Sequence, residues 1–251
     1  MAFHPSGVLT FSSDFGHADP FVGVLHGVAS WIAPSVQRVD LSHGIPRGDV
    51  RAGAFWLALA ARWFAPGTVH VAIVDPGVGT ERAALVVLAH GHAFVGPDNG
   101  LLAEAQRTDP GARAFALPLP EAASATFHGR DVFAPTGARI ASGALDPTTL
   151  PTAPPTVPSP VPSIAEQGAQ VVVVDRFGNL ITNVPGDWLA GARVLVGAKH
   201  VPSGRTYGSV PEGELVAVVN SWGLVEIAKR GGSAAEALSA GPGTAVSFDR
   251  S

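Results

Sequence analysis

The amino-acid sequence lacks cysteine altogether, in a chain of 251 residues. This absence excludes a disulfide framework, thiolate metal ligands and a cysteine nucleophile. Charge is also sparse, since 14% of the residues are charged and the formal net charge is −4. Because the sequence has no basic stretch, we expect no binding to nucleic acid. Hydrophobic residues make up 46% of the chain, which is typical of a globular protein.

A long apolar segment is missing as well. The most hydrophobic stretch, residues 52–66, is interrupted by Arg62 and is too short to cross a bilayer. Residues 1–13 lack the basic and apolar regions of a signal peptide. We therefore expect a cytoplasmic protein that has no membrane partner.

The first part of the chain alternates between strand-like and helix-like segments. Apolar runs predict strands over 8–13, 36–41 and 68–74, and helical spacing predicts helices over 20–32 and 49–64. Strands that alternate with helices are typical of parallel βαβ units. We therefore predict an α/β N-terminal domain, residues 1–146, with a central, mostly parallel sheet.

The composition changes after this domain. Residues 147–163 contain seven prolines, which predicts a stiff, extended linker. Beyond the linker, short β-like runs are separated by glycine and proline turns. This pattern predicts a smaller, β-rich C-terminal domain over residues 164–251.

A carboxylate follows the third predicted strand, in the stretch V-D-P-G-V-G-T-E-R (74–82). Asp75 lies where an α/β sheet presents functional groups, and Arg82 follows it across a glycine-containing loop. The G-x-G spacing does not predict a phosphate-binding loop, because Arg82 occupies the third glycine position and a strand follows. Taken alone, Asp75 and Arg82 are better explained as a structural ion pair that holds the loop than as a functional pair.

Two further polar groups could complete a site. Asp14 follows the first predicted strand, and its carboxylate could accept hydrogen bonds from a ribose diol or simply cap a turn. His128 lies in the polar cluster F-H-G-R-D (127–131), which suggests an Asp–Arg–His site with Asp75 and Arg82. The spacing of Asp14, His17, Asp75 and His128 matches no metal-binding motif, so we predict no metal site.

The C-terminal domain carries two polar turns. In D-R-F-G-N (175–179), Phe177 could stack on a base and Asn179 could hydrogen-bond its edge. A simple hairpin turn explains the same residues. The stretch N-S-W-G (220–223) also reads as a turn, whose backbone could bind an anion.

Taken in order, the motifs resemble those of the S-adenosyl-L-methionine (SAM) hydroxide adenosyltransferases, which are related to fluorinase and chlorinase. The motifs are S-D-F-G (13–16), V-D-P-G-V-G-T-E-R (74–82), G-P-D-N-G (96–100), F-H-G-R-D-V-F-A-P (127–135), D-R-F-G-N-L-I-T-N (175–183) and N-S-W-G-L-V-E-I-A (220–228). The resemblance implies an α/β N-terminal domain and a β-barrel-like C-terminal domain. It also implies a homotrimer whose active sites lie between the N-terminal domain of one subunit and the C-terminal domain of its neighbour.

The resemblance assigns a role to each matching residue. It implies that SAM is the substrate, that no separate cofactor is needed, and that water or hydroxide attacks ribose C5′ in line to give adenosine and methionine. The implied catalytic residues are Asp75, Arg82 and His128. The implied substrate-binding residues are Asp14 for the ribose diol, Phe177 and Asn179 for adenine, and Asp175 and Ser221 for the methionine end. Phe127 and Gly129 belong to the same substrate-binding set.

Two alternatives remain at this level. The halogenating relatives carry tyrosine at the positions of Asp75 and His128, and a loop insertion in the N-terminal domain. This sequence is therefore more similar to the hydroxide-transferring enzymes than to a SAM-dependent halide transferase. A non-catalytic sensor of SAM or adenosine is the second alternative, although it would not need the Asp–Arg–His set.

Overall fold

The computed structural model describes residues 3–250. The chain divides into two compact units, with the boundary between Pro160 and Val161. In the first unit the strands are β1 Val8–Ser13, β2 Gln37–Ser42, β3 Val69–Ile73, β4 Ala84–Ala89, β5 His92–Pro97 and β6 Arg113–Leu117. Its helices are α1 Phe21–Ile32, α2 Val50–Ala61, α3 Ala103–Arg107 and α4 Ala134–Ala141.

The six strands of the first unit form one sheet in the order β2-β1-β3-β5-β4-β6. Strands β2, β1, β3 and β5 pair in parallel, whereas β4 is antiparallel to both β5 and β6. The antiparallel pair follows from the sequence, because only two residues separate β4 from β5 and a parallel crossover needs many more. The predicted central, mostly parallel sheet is confirmed.

Both sides of this sheet are apolar, and the middle strands are buried along their whole length. All five residues of β3 and all six of β5 are buried. Helices α1 and α4 contribute Leu25 and Ile140 to the same core cluster as Leu9 and Val71 of the sheet. Continuous burial of this kind is typical of parallel strands covered by helices.

Helix α2 shows how local signals set its bounds. The Asp49 side chain accepts a hydrogen bond of 2.9 Å from the backbone N–H of Ala52, so this residue caps the helix rather than belonging to it. The helix ends at Ala61, three residues earlier than the sequence pattern predicts. Within residues 3–250, no helix is long and apolar enough to cross a membrane.

The proline-rich segment, predicted as a linker over 147–163, contributes residues 147–160 to the first unit. Its backbone pairs with β6, since Ala116 donates to the carbonyl of Pro151 at 2.8 Å and Ala153 donates to that of Ala114 at 3.1 Å. Further along, the Thr156 hydroxyl donates to buried Asp98 at 2.7 Å. These contacts hold the segment against the sheet.

The second unit is β-rich, as predicted. Its strands are β7 Val171–Val174, β8 Leu180–Pro185, β9 Ala192–Val196, β10 Lys199–Val201, β11 Leu215–Val219, β12 Leu224–Lys229 and β13 Val246–Arg250, with short helices α5 Ile164–Gln167 and α6 Ala234–Leu238. They form two antiparallel sheets, ordered β11-β12-β8-β7 and β10-β9-β13.

Of the expected barrel-like arrangement, the structure shows the antiparallel sheets but no closed barrel among the described strands. Among the described residues, the edges of the two sheets are joined by single bridges, Gln170 with Ala245 and Ser203 with Ala217. The described strands therefore do not form one continuous, closed barrel. Short strands and frequent glycine turns limit each ladder to a few residues, so the edges meet at points rather than along strands.

Candidate active site

The carboxyl ends of β1 and β3 bring two of the predicted residues to one edge of the first sheet. Ser13, the last residue of β1, pairs with Ile73, the last residue of β3. Asp14 directly follows β1, and Asp75 lies two residues after the end of β3. This edge is where open α/β sheets bind ligands.

Asp75, Arg82 and His128 form one hydrogen-bonded set. Arg82 Nε donates to Asp75 Oδ1 at 2.9 Å, and Arg82 Nη2 donates to Asp75 Oδ2. The same Nη2 lies 2.8 Å from Nδ1 of His128. The predicted Asp–Arg–His residues are therefore in direct contact, with the arginine between the other two.

The surroundings hold this arginine in place. Its side chain is 9% exposed and that of Asp75 is 5% exposed. Arg82 Nη1 donates to the carbonyl of Ala83 at 3.3 Å, and the guanidinium carbon lies 5.3 Å from the centroid of the Phe133 ring. A buried, two-pronged ion pair keeps a carboxylate in one orientation, because breaking it would leave an uncompensated charge.

The contact with Arg82 determines the protonation of His128. A guanidinium nitrogen can only donate, so Nδ1 of His128 must accept and the ring proton must lie on Nε2. Burial lowers the pKa of His128 and the Arg82 charge lowers it further, against the opposing effect of Asp75 and Asp131. The site therefore contains a neutral imidazole whose N–H donor is on Nε2.

Asn99 also belongs to this site, although it is not among the residues predicted from the sequence. Its side-chain amide donates to the carbonyl of Val74 at 2.8 Å, and its oxygen accepts from the backbone of Leu101 at 3.2 Å. Asn99 thus fixes the peptide that leads into Asp75. Its position in the G-P-D-N-G motif is the signal that could have identified it.

Asp14 and Phe127 lie in the same unit as the Asp–Arg–His set. The Asp14 carboxylate accepts a hydrogen bond of 2.8 Å from the backbone of Gly48 through Oδ2. Phe127 contacts Phe15 and Phe21 edge-on, with ring centroids 6.0 and 5.4 Å apart. An aromatic cluster therefore lies next to the loop that carries Asp14.

Gly129 begins a five-residue π-helical turn, Gly129–Phe133, directly after His128. A Cβ atom at this position would lie 3.2 Å from both Ile73 and the Phe127 ring. The glycine therefore allows the turn to approach the end of β3 closely. This approach brings His128 within reach of Arg82, 46 residues earlier in the chain.

The second unit contains the other predicted residues. Asp175 caps its own turn, since Oδ1 accepts from the backbones of Phe177 and Asn179 at 2.8 and 2.9 Å, and Oδ2 accepts from the Asn179 amide at 2.9 Å. Phe177 is 75% exposed, whereas Asn179 is 8% exposed. The turn thus carries an exposed aromatic ring and a buried amide that Asp175 holds in place.

Ser221 lies in the separate turn between β11 and β12 and is exposed. The Asn220 side chain holds this turn by accepting from the backbones of Trp222 and Leu224, both at 3.0 Å. One turn therefore carries Asp175, Phe177 and Asn179, and a second turn of the same unit carries Ser221.

A hydrogen-bonded pair of a buried glutamate and a partly exposed tyrosine in the second unit was not predicted. The Tyr207 hydroxyl donates to Glu226 at 2.8 Å, and Glu226 is 3% exposed. Burial raises the pKa of Glu226, and burial together with Glu226 raises that of Tyr207 to about 12. The signal for it in the sequence is a glutamate within the apolar run of residues 224–228. Among the described residues, no group of three or more histidine, aspartate or glutamate side chains could hold a metal ion.

Comparison with known families gives two matches that together span most of the chain. Residues 9–150 match the N-terminal domain of the SAM hydroxide adenosyltransferases, and residues 169–247 match the C-terminal domain of the same family.

Curated relatives align over nearly the full length. An (R)-S-adenosyl-L-methionine hydrolase of Thermus thermophilus is 44% identical, over 91% of this chain and 94% of that protein. A protein of the same name from Salinispora arenicola is 42% identical, over 94% of this chain and 95% of its own length. A fluorinase of Nocardia brasiliensis is more distant, at 26% identity over 54% of each chain.

Solved structures share the fold. A conserved protein of Thermotoga maritima superposes with a TM-score of 0.87 at 32% identity, and covers 96% of this chain and all (100%) of its own. A conserved protein of Thermus thermophilus gives a TM-score of 0.81 at 42% identity, with 96% of this chain and 99% of its own covered.

Proposed function

The chain belongs to the SAM hydroxide adenosyltransferase family, and from this premise we propose that it hydrolyses SAM to adenosine and L-methionine. The observation that carries the proposal is the contact of Asp75, Arg82 and His128 at the carboxyl edge of the first sheet. The names of the relatives that are 42–44% identical support the same reaction.

The proposed reaction is an in-line displacement at ribose C5′. The C5′–S bond breaks and its electron pair stays on sulfur, which leaves as the neutral thioether of methionine. The oxygen of water bonds to C5′ and one proton of that water is released. Because the sulfonium is already a good leaving group, the reaction needs no cofactor and no general acid, and the main task is to position the water.

The protonation of His128 suggests a division of roles. Its Nε2–H can donate to the attacking oxygen, but the neutral ring cannot take a proton at Nε2, and Nδ1 is occupied by Arg82. Each Asp75 oxygen accepts one hydrogen bond from Arg82 and keeps a second lone pair. We therefore assign the departing proton to Asp75 and the orientation of the water to His128.

The remaining predicted residues fit parts of the substrate. Asp14 would bind the ribose diol through the carboxylate that Gly48 already orients. Phe177 would stack on adenine, while the Asn179 amide, fixed by Asp175, would present its oxygen to the base. Asp175 and Ser221 would bind the methionine end. Phe127 and Gly129 would border the reacting carbon.

We also propose a homotrimer in the cytoplasm. The high exposure of Trp31, at 89%, supports the burial of part of this surface by other subunits. Analytical ultracentrifugation would test the trimer, since a monomer at micromolar concentration would contradict it. Immunodetection after cell fractionation would test the location.

Incubation with SAM in ¹⁸O-labelled water, with and without chloride, tests the function. We expect adenosine labelled at its 5′ oxygen together with free methionine. A 5′-chloro nucleoside would instead indicate a halide transferase, and intact bound SAM after hours would indicate a sensor. Asp75→Asn should abolish turnover. The matched control is Asp146→Asn, which changes an exposed carboxylate that caps a distant turn and should leave turnover unchanged.

A further inference from the structure

Four polar side chains form a chain of contacts from the surface to the carboxyl end of β1. They are His26, Asp40, His43 and Ser13. His26 Nε2 lies 2.7 Å from Asp40 Oδ1, and the same oxygen lies 3.0 Å from His43 Nε2. His43 Nδ1 lies 2.7 Å from the Ser13 hydroxyl. The side chain of Asp40 is 37% exposed and that of His43 is fully buried at 0%.

This order of serine, histidine and aspartate is that of a nucleophilic triad, but the geometry excludes that role. Ser13 is 0% exposed, so a substrate cannot reach its oxygen. That oxygen also accepts a hydrogen bond of 3.2 Å from the backbone of Phe15.

These contacts instead hold a loop in place, because His43 binds the loop on both sides of Asp14. Its Nδ1 contacts Ser13, and its backbone carbonyl accepts a hydrogen bond of 2.8 Å from the N–H of Gly16. The Ser13 hydroxyl in turn holds the N–H of Phe15. Burial lowers the pKa of His43, against the opposing effect of Asp40, and this favours the neutral ring that can accept from Ser13.

We propose that His43 is a positioning residue that holds the 13–16 loop so that the Asp14 carboxylate meets the ribose diol of the substrate. The inference rests on the proposed function, because it takes from it the role of Asp14. The contacts with Ser13 and Gly16 fix the backbone of the loop, and the contact of Asp14 with Gly48 then fixes its side chain. Asp40 and His26 orient the imidazole from the surface side.

Binding of two nucleosides separates this role from a general effect on folding. Adenosine carries the ribose diol, whereas 2′,3′-dideoxyadenosine lacks it. We expect the wild-type protein to bind adenosine more tightly, and His43→Leu to lose about tenfold in adenosine affinity, the effect of one buried hydrogen bond. The affinity for dideoxyadenosine should change less than about twofold, because the diol contact is absent from it.

Two companion variants keep the test decisive. His43→Asn places an amide oxygen near the position of Nδ1, so it should restore most of the adenosine affinity. If His43→Leu does not fold, Ser13→Ala removes the same hydrogen bond with little change of volume and should show the same selective loss. Circular dichroism at the assay temperature establishes which variants are folded.

The matched control is His70→Leu. His70 is also a buried histidine, and it makes a 2.8 Å hydrogen bond to Thr10 of the same strand, β1, away from the Asp14 loop. This variant should lower the stability of the protein but leave the ratio of the two nucleoside affinities unchanged. An equal loss of both affinities in His43→Leu, or no loss, would overturn the proposal.

The outcomes also separate this inference from the proposed reaction. A wild-type protein that discriminates between the nucleosides but leaves SAM intact would contradict the reaction, and the positioning role of His43 would still be decided by its variants. A wild-type protein that binds both nucleosides equally would overturn the ribose role of Asp14 and this inference with it.

Discussion

Arg82 donates a hydrogen bond of 2.8 Å to Nδ1 of His128 while its other donors hold the Asp75 carboxylate. One guanidinium therefore sets the orientation of an acid and the tautomer of an imidazole at the same time. A lysine ammonium is a point charge without this planar fork, so it could not replace both functions.

Arg82→Lys should therefore lower kcat by about 100-fold or more, because both proposed catalytic groups lose their orientation. The charge is retained, so thermal unfolding should change little compared with the loss of activity. Steady-state SAM hydrolysis is the measurement. The matched control is Arg107→Lys, since Arg107 makes a similar two-pronged pair with Glu104 on α3. Equal effects of the two substitutions on kcat would contradict the role of Arg82.

The tautomer of His128 predicts the pH dependence of catalysis. Burial and the Arg82 charge lower the pKa of this histidine, so the neutral form persists to a pH below the usual range of histidine. Activity should fall where His128 becomes protonated, because its contact with Arg82 is then lost. The acid limb of kcat/KM should accordingly lie below the usual histidine pKa and should be absent from the residual activity of His128→Asn. An unchanged acid limb in that variant would assign it to another group.

The buried histidine His70 predicts a pH dependence of stability. Burial, with a smaller contribution from His92, lowers the pKa of His70 from 6.5 to about 3. Between these values the unfolded chain binds a proton that the folded protein excludes, so the free energy of unfolding falls as the pH drops below 6.5. The loss should reach a few kcal/mol near pH 4. At higher pH both states are neutral and the contribution is fully present.

Urea unfolding at several pH values between 7.5 and 4 measures this effect. His70→Phe keeps an aromatic ring beside Phe94, whose ring centroid lies 5.1 Å from that of His70, but cannot take up a proton. The variant should lose the hydrogen bond to Thr10 at every pH and show a shallower decline in acid. The same slope in both proteins would show that other groups, such as His43 and His92, dominate.

The sequence predicts the strands of the first sheet well because they are continuous apolar runs, as in β3, where each residue is buried. It also predicts that Asp75 and Arg82 belong together, since only six loop residues separate them. It does not predict that Arg82 lies between Asp75 and His128, because that order depends on the close approach at Gly129. The sequence also does not predict which sheet edges pair in the second unit. Single bridges, such as Gln170 with Ala245, produce no periodic pattern in the sequence.

His43 illustrates the same limit. In the sequence it is one histidine of nine, in a turn after β2, and its position alone favours a structural role. Its importance comes from the register of neighbouring strands, since β1 pairs with β2 and Ser12 lies opposite Ser42. That register brings His43 beside Ser13, which no local pattern records.

Substitution of Phe177 should lower substrate affinity without lowering the stability of the protein. The ring is 75% exposed, so Phe177→Ala should change the free energy of unfolding by less than about 0.5 kcal/mol. If the ring stacks on adenine, the substitution should weaken binding by about 1–3 kcal/mol, or roughly five- to 150-fold. Phe177→Trp keeps a stacking surface and should retain most of the affinity. Calorimetric titration with adenosine checks this, and equal affinities of the alanine variant and the wild type would place adenine elsewhere.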